Sequence, residues 1–204
     1  MVDVGGVALP GTLALTDGAA GVVVFAHGSG SSRGSPRNVA VAEGLQGRGL
    51  ATLLFDLLTP EEGPDRANVF DIPLLGARLV AATSWLEGEG VDLPVAYFGA
   101  STGGGAALWA ATERTATGPF AVVSRGGRPD LARERLRLVR APTLLIVGGA
   151  DQVVLDLNRD AAALMACEVR LSVVPRATHL FEEPGALEQV ARLAGRWFVD
   201  HLPA

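Results

Sequence analysis

Short apolar segments recur along this chain of 204 residues, and most are bounded by glycine, proline or aspartate. Segments of this kind, with no polar face, are typical of strands buried on both sides of a parallel sheet. Between them, apolar residues recur at helical spacing, and several of these stretches begin with a capping residue followed by proline. We predict strands at 21–26, 51–55, 95–98, 119–124, 143–147 and 169–174, and helices at 35–47, 71–87, 131–139, 155–165 and 186–201, with a further helix from about 103.

Strands and helices alternate almost throughout, so right-handed crossovers predict an α/β fold with a mostly parallel, doubly wound sheet flanked by helices. Its functional loops should lie at the carboxyl ends of the strands. Residues 7–15, interrupted by Pro10 and Gly11, are predicted to form a short hairpin at one edge. About twenty residues separate the 119–124 strand from the next one, too few for a large lid domain. A single domain over 1–204 is expected.

The composition narrows the classes of function. The formal net charge is −5 with both signs interspersed, which argues against nucleic-acid binding and against a basic membrane-binding face. The N-terminus lacks a basic region followed by an apolar one, so a signal peptide is not expected. The single Cys167 cannot form an intrachain disulfide. We expect a soluble, cytoplasmic protein.

The sequence contains no lysine, and all 17 basic residues are arginine. A Walker A phosphate loop, a pyridoxal or Schiff-base enzyme and a Ser-Lys hydrolase each need a lysine amine. These mechanisms are therefore excluded, whatever the reason for the bias towards arginine.

The segment V-A-Y-F-G-A-S-T-G-G-G-A-A, residues 95–107, carries a G-x-S-x-G motif between an apolar strand and a run of small residues. This is the setting of a nucleophile elbow, in which a strained strand-to-helix turn exposes the serine hydroxyl. Glycines at 99 and 103 leave room for the backbone around Ser101. The amides at the start of the following helix would face a developing oxyanion. Ser101 is the candidate nucleophile.

A serine nucleophile needs a base and a carboxylate that orients the base. Of the three histidines, His179 follows the last predicted strand, whereas His201 lies near the end of the final helix. Asp151 follows a buried strand and can reach His179 from the same sheet edge; Asp156, at a helix start, is the lesser candidate. The order Ser101, Asp151, His179 is that of the α/β-hydrolase sheet.

The loop His27-Gly28-Ser29-Gly30 ends the 21–26 strand and has two interpretations. As an H-G-x-x oxyanion loop, it would direct the Ser29 amide towards the developing charge beside the amide of Thr102, with the His27 ring supporting the loop. His27 is also a candidate contact for the substrate. As the start of a dinucleotide-binding G-x-G-x-x-G motif it is weak, because Arg33 stands where the third glycine packs helix against strand. We favour the first interpretation.

Several arginines fall at the same sheet edge. Arg33, Arg37 and Arg125 could each bind a substrate carboxylate in bidentate fashion. The alternative is that they are structural, with Arg33 or Arg125 fixing a loop through Asp56 or backbone carbonyls. The polar loop 57–69 could line a substrate cleft or serve as an exposed connector.

Five segments carry a resemblance to a known family: F-A-H-G-S-G-S-S-R-G-S-P-R-N, F-G-A-S-T-G, S-R-G-G-R-P-D-L-A, L-I-V-G-G-A-D and A-T-H-L-F-E-E-P-G. Together they resemble the small, lidless dienelactone-hydrolase-like branch of the α/β-hydrolases. The resemblance implies ester hydrolysis by Ser101, with Asp151 and His179 completing a triad. The chain differs in having serine at 101, where true dienelactone hydrolases carry cysteine, and in having Arg176 where a glycine is expected.

The sequence thus predicts a serine hydrolase that cleaves small carboxylic esters through an acyl-enzyme. No metal or organic cofactor is implied, and the expected partner is a small ester rather than nucleic acid or a membrane. Acyl transfer on the same fold and a non-catalytic ligand-binding or partner-binding module are the alternatives. A monomer and a homodimer are both compatible with the sequence.

Overall fold

The structure is a computed structural model that describes residues 1–113 and 118–203. Its elements follow the predicted alternation closely. The strands are β1 (Val2–Asp3), β2 (Ala8–Leu9), β3 (Gly11–Ala14), β4 (Val22–Ala26), β5 (Ala51–Phe55), β6 (Val95–Ala100), β7 (Val122–Arg125), β8 (Thr143–Gly148) and β9 (Val169–Val174). The helices are α1 (Pro36–Gln46), α2 (Arg66–Val69), α3 (Ile72–Gly88), α4 (Thr102–Ala110), α5 (Gln152–Leu164) and α6 (Ala186–Asp200), with a 3₁₀ helix at Pro129–Leu138.

The main sheet has seven strands in the order β3-β5-β4-β6-β7-β8-β9. β3 runs antiparallel to β5, and every other neighbouring pair is parallel. The predicted α/β fold with a mostly parallel, doubly wound sheet is therefore confirmed. The 3₁₀ helix is the only element between β7 and β8, so no large lid is inserted there.

The predicted hairpin at 7–15 is wrong. β2 pairs with β1 in a separate two-stranded sheet, whereas β3 joins the edge of the main sheet. Only Pro10 separates β2 from β3, and a chain cannot reverse within one residue, since even the tightest hairpins use a two-residue loop. The Pro10 carbonyl accepts a hydrogen bond from the backbone N–H of Asp56 (2.9 Å). This bond attaches the link between β2 and β3 to the end of β5.

The central strands are buried on both faces, as their apolar sequences predict. In β4, alternate residues enter different core layers: Val22 and Val24 pack towards α3 and α4, whereas Val23 and Phe25 pack towards α1 and α6. Burial on both sides removes the polar face that an antiparallel surface sheet would show.

Side-chain contacts also tie α3 to the strand that precedes the nucleophile. The buried hydroxyl of Tyr97 on β6 lies 3.0 Å from the hydroxyl of Thr83 on α3. The predicted helix at 71–87 begins and ends within one residue of α3, with Asp71 as its N-cap. Near the end of this helix Leu86 lies in the core, and Trp85 is partly buried and packs against it.

The other boundaries differ from prediction by at most three residues. The strand predicted at 119–124 is the shorter β7, and the helix predicted at 131–139 takes 3₁₀ geometry. Within 1–113 and 118–203, no helix combines the length and apolar character needed to cross a membrane.

Candidate active site

Ser101 lies in the turn between β6 and α4 with φ 51° and ψ −120°. A positive φ is uncommon for a residue other than glycine and indicates local strain. The flanking glycines make the turn possible: a Cβ on Gly99 would overlap the backbone of Gly103, and a Cβ on Gly103 would overlap the backbone of Ala26 and His27. The spacing of the G-x-S-x-G motif is therefore set by how closely α4 passes over the end of β4.

His179 and Asp151 reach Ser101 from the ends of β9 and β8. The Nε2 atom of His179 lies 3.2 Å from Ser101 Oγ, and its Nδ1 atom lies 2.6 Å from Asp151 Oδ2. With a proton on Nδ1, the ring donates to the carboxylate and accepts from the serine hydroxyl. The structure thus brings the three predicted residues into one hydrogen-bonded row.

Two backbone features allow this approach. Gly148, the last residue of β8, has no room for a Cβ because the backbone of Ala177 and Thr178 lies against it. Arg176 adopts a φ of 64°, the left-handed region that favours glycine, which agrees with the sequence expectation of glycine there. The two loops that carry Asp151 and His179 are thereby held close together.

Asp156, the lesser candidate for the carboxylate, lies elsewhere. Its side chain accepts hydrogen bonds from Gln152 and Arg159 on the exposed surface of α5. Asp151, by contrast, is the N-cap residue of α5, where its side chain caps no backbone amide and points to the histidine.

The two predicted oxyanion donors lie side by side. Thr102 is the first residue of α4, and no acceptor for its N–H is found among the described residues. The Ser29 N–H donates to Thr102 Oγ1 at 2.8 Å. In this conformation the hydroxyl of Thr102 therefore accepts the N–H of Ser29, the amide that the sequence predicts as an oxyanion donor.

His27 uses both ring nitrogens to hold the loop. Its Nδ1 lies 3.0 Å from the Gly28 carbonyl, and its Nε2 accepts the Leu57 N–H at 3.0 Å, which assigns the proton to Nδ1. Burial lowers the pKa of His27 below its usual value and outweighs the opposing effects of the Gly28 carbonyl and Asp56. The ring is thus a neutral link between the loops after β4 and β5.

Two cavities meet at the loop that carries Gly28, Ser29 and Ser31. One, of about 200 Å³, contains Ser101 and His179 and is otherwise lined mainly by polar and basic residues. The other, of about 240 Å³, lies under the 57–69 loop and is largely apolar. The 57–69 loop therefore lines a cleft, which is one of the two interpretations of its sequence.

The three arginines have different environments. Arg33 pairs with Asp56 through its guanidinium and also donates its backbone N–H to that carboxylate (2.7 Å), so it has the structural role weighed for it. The Nη1 atom of Arg37 lies 3.3 Å from Oε1 of the exposed Glu182, and Arg37 lines the cavity that contains Ser101. Arg125 lines the same cavity and is 7% exposed.

Asn38 and Asn158 were not identified from the sequence. Asn38, buried on α1, accepts a hydrogen bond from Arg125 Nη2 at 3.3 Å. Asn158, buried on α5, donates to the Gly127 carbonyl at 2.9 Å, and the next residue, Arg128, donates its N–H to the Ser101 carbonyl. The sequence did contain a signal for both residues, because each is an asparagine on an otherwise apolar helix face.

A group of histidine, cysteine and acidic side chains suited to a metal ion does not occur within the described part of the chain. No protein-family model matches the sequence.

Known proteins resemble this chain over nearly its whole length. The structure of a dienelactone hydrolase from Anabaena variabilis is 59% identical with a TM-score of 0.94, covering 99% of this chain and 96% of that one. A Xanthomonas campestris protein described as an α/β serine hydrolase without a lid shares the fold at 20% identity, with a TM-score of 0.77 and 96% and 90% of the two chains covered.

A curated Mycobacterium tuberculosis protein, provisionally named a phosphoribosyl transferase, is 62% identical over 203 residues. The match covers 98% of this chain but 46% of that protein, so this chain spans about half the length of the curated relative. That name describes a much longer protein, whereas the Anabaena enzyme matches end to end. On that match, the chain belongs to the dienelactone hydrolase family, within the α/β hydrolases.

Proposed function

We propose that the protein is a serine hydrolase that cleaves small carboxylic esters through an acyl-enzyme. The family and the fold support a hydrolase of the α/β type. The single observation that supports the finer proposal is the row Ser101, His179, Asp151, with contacts of 3.2 and 2.6 Å on the two sides of the imidazole.

Acylation follows from the atoms of this row. Ser101 Oγ attacks the ester carbonyl carbon while His179 Nε2 takes its proton. Asp151 accepts the Nδ1 hydrogen and stabilises the imidazolium that forms. The carbonyl electrons return as the alkoxide leaves, and that alkoxide takes the proton from His179, which leaves the acyl group on Ser101.

In deacylation, water is the nucleophile and Ser101 is the leaving group. A water molecule gives a proton to His179 Nε2 and attacks the acyl carbon, and the tetrahedral species collapses with the proton returned to Ser101 Oγ. Both steps place negative charge on the former carbonyl oxygen. The Thr102 amide at the N-terminus of α4 is the first donor for that charge.

The Ser29 amide is the second proposed donor, and its use depends on Thr102. The hydroxyl that now accepts the Ser29 N–H must turn away for the amide to reach an oxyanion. Ser29 and Thr102 both line the apolar cavity, so a substrate carbonyl placed there can compete for the same hydrogen.

The test is the hydrolysis of short p-nitrophenyl esters by the wild type and by Ser101→Ala and His179→Ala, with Ser84→Ala on the exposed side of α3 as a matched serine control. Both site variants should lose activity by about 10⁴-fold or more. A fluorophosphonate probe should add one adduct to the wild type and to Ser84→Ala, and none to Ser101→Ala, by intact mass.

A folded wild type that neither turns over nor labels would overturn this proposal. Equal activity in Ser101→Ala and the wild type would do the same, because no other residue of the row can form the acyl-enzyme.

A further inference from the structure

The cavity of about 240 Å³ under the 57–69 loop adjoins the nucleophile but does not contain it. Ser101 and His179 line the other, polar cavity. The apolar side chains that line the cavity under the loop include Leu57, Leu58, Val69 and Leu75. Apolar surface that is open to water is unfavourable, so an apolar ligand that covers this wall is stabilised by the water it releases.

The ionisable groups on this wall are already engaged by the protein. Asp56, the one carboxylate among the described lining residues, is paired with Arg33. His27 is neutral, and its two ring nitrogens contact the Gly28 carbonyl and the Leu57 N–H. The described wall therefore suits an uncharged apolar group rather than an ion, which would lose its hydration there without gaining a partner.

Glu62 fixes the loop that covers the cavity. Its Oε1 atom accepts a hydrogen bond from Nη2 of the buried Arg78 on α3 at 2.7 Å, and its Oε2 atom accepts the Thr59 N–H at 2.9 Å. Its carbonyl accepts a hydrogen bond from Nδ2 of Asn68 at 3.2 Å. The loop is thus tied both to itself and to α3. The cavity is formed before a ligand enters, which lowers the cost of binding.

The position of His179 decides which half of an ester can enter this cavity. In acylation the leaving alkoxide takes a proton from His179 Nε2, so the alcohol oxygen must lie within hydrogen-bond distance of that atom. The alcohol therefore lies on the side of the polar cavity, which His179 lines. The carbonyl oxygen lies at the proposed donors Ser29 and Thr102, which both line the apolar cavity. The acyl chain is then the part that extends past these amides into the apolar cavity.

We propose that the substrate is an uncharged ester of an apolar carboxylic acid, whose acyl chain occupies the 240 Å³ cavity while a short alcohol group faces His179. This inference rests on the proposed ester hydrolysis and assigns its substrate class. Cleavage breaks the bond between the acyl carbon and the alcohol oxygen, and water supplies the hydroxyl of the acid and the proton of the alcohol. The cavity has the volume of about eight water molecules at about 30 Å³ each, which accommodates an acyl chain of about six carbons.

Two isomeric esters test which half of the substrate enters the cavity. Ethyl hexanoate and hexyl acetate have the same atoms and no charge, but the six-carbon chain lies on the acyl side of the first and on the alcohol side of the second. The wild type should favour ethyl hexanoate by about 10- to 100-fold in kcat/KM, because each fully buried methylene group contributes up to about fourfold. Equal rates, or a preference for hexyl acetate, would overturn the proposal.

Narrowing the cavity should remove this preference. Val69, a partly buried residue at the end of α2, lines the cavity, and Val69→Trp should fill part of it. This variant should lower kcat/KM at least tenfold for ethyl hexanoate but less than about threefold for ethyl acetate, whose acyl group is too short to need the space. Val199→Trp on α6, which is not among the described lining residues, is the matched control and should keep the wild-type preference. Equal losses for both esters in Val69→Trp would indicate a structural effect and contradict the acyl site.

A second variant covers the case in which Val69→Trp does not fold. Leu58→Ala shortens an apolar residue of the wall instead of adding bulk. It should reduce the preference for ethyl hexanoate over hexyl acetate by about three- to tenfold, because the acyl chain loses part of its apolar contact. An unchanged preference would count against the proposal.

Binding without turnover separates this inference from the esterase proposal. Calorimetric titration of Ser101→Ala, which lacks the proposed nucleophile, compares ethyl hexanoate with ethyl acetate. Ethyl hexanoate should bind at least tenfold more tightly, and Val69→Trp in the same background should abolish the difference. That result supports the apolar site even if the wild type hydrolyses neither ester. Equal binding of the two esters, or no binding of either, overturns it.

Discussion

The His27 ring fixes the geometry near Ser101 by linking the loop after β4 to the loop after β5. Protonation would place a second N–H on Nε2, facing the Leu57 N–H that this atom now accepts. The charged ring would therefore lose a hydrogen bond and oppose two donors in a partly buried position. The fold thus favours the neutral ring.

This preference predicts a pH dependence of stability. Because burial lowers the pKa of His27 in the folded protein, the unfolded chain binds more protons between that lowered value and about 6.5. The contribution of His27 to the free energy of unfolding should be complete above about pH 7 and should fall as the pH drops through 6.5, by up to about 1.4 kcal/mol per pH unit. Urea unfolding of the wild type and His27→Asn from pH 7.5 to 5 measures it.

The difference between those two proteins should be about 1–2 kcal/mol at pH 7.5, the size of a buried hydrogen bond, and should narrow towards pH 5. A difference that stays constant over this range would contradict a neutral ring in the fold.

At the scale of elements, the elbow depends on how closely α4 crosses the ends of β4 and β6. Gly103 lies against the carbonyl groups of Ala26 and His27, and Gly104 lies against Ser124 on β7. The run of small residues after Ser101 is therefore a packing requirement of the helix as well as a feature of the turn.

Gly103→Ala should lower the free energy of unfolding by at least about 3 kcal/mol, because the added methyl has rigid backbone on its far side. Gly88→Ala is the matched control: it lies at the end of α3 with open space around it, and alanine there should raise stability by about 0.5–1 kcal/mol. Chemical denaturation of both variants gives the comparison. Equal stability of Gly103→Ala and the wild type would refute the close crossing.

Elements of this kind could be predicted because their signals are local. The apolar run of β5 fixes the bounds of that strand to the residue, and the five-residue elbow motif identifies Ser101 as the nucleophile candidate. The hairpin prediction at 7–15 used a turn signal in Pro10 and Gly11 but could not see that the two halves pair with different strands.

The contacts of the arginines could not be predicted either, because their partners lie far away along the chain. Arg33 has its partner 23 residues away, and Arg125 meets Asn38 across 87 residues. Nothing in the sequence ranks such contacts, so the same residue type at the same sheet edge became a structural pair in one case and an unpaired buried cation in the other.

At the scale of the whole molecule, one sheet separates two apolar core layers, and β4, β5, β6 and β7 each contribute residues to both. Neither layer can be lost without exposing the other face of the same strands. The single domain predicted over 1–204 should therefore behave as one cooperative unit, even though related chains can be about twice as long.

Differential scanning calorimetry should show a single transition with equal calorimetric and van't Hoff enthalpies, of about 140 kcal/mol near 60 °C for a chain of this length. The Ser101→Ala variant is a useful control, since removing the nucleophile hydroxyl should leave the shape of the transition unchanged. Two resolved transitions would indicate that the chain divides into independently unfolding parts.

Tyr97, the only tyrosine in the sequence, lies on β6 four residues before the nucleophile, with its hydroxyl close to Thr83. Burial raises the pKa of its phenol above the usual value near 10, so the folded chain delays formation of the tyrosinate ion. The near-ultraviolet absorption of that ion, recorded under alkaline conditions, would come from one known place in the molecule. The strand that presents Ser101 therefore carries its own optical reporter, which signals when that strand becomes accessible to solvent.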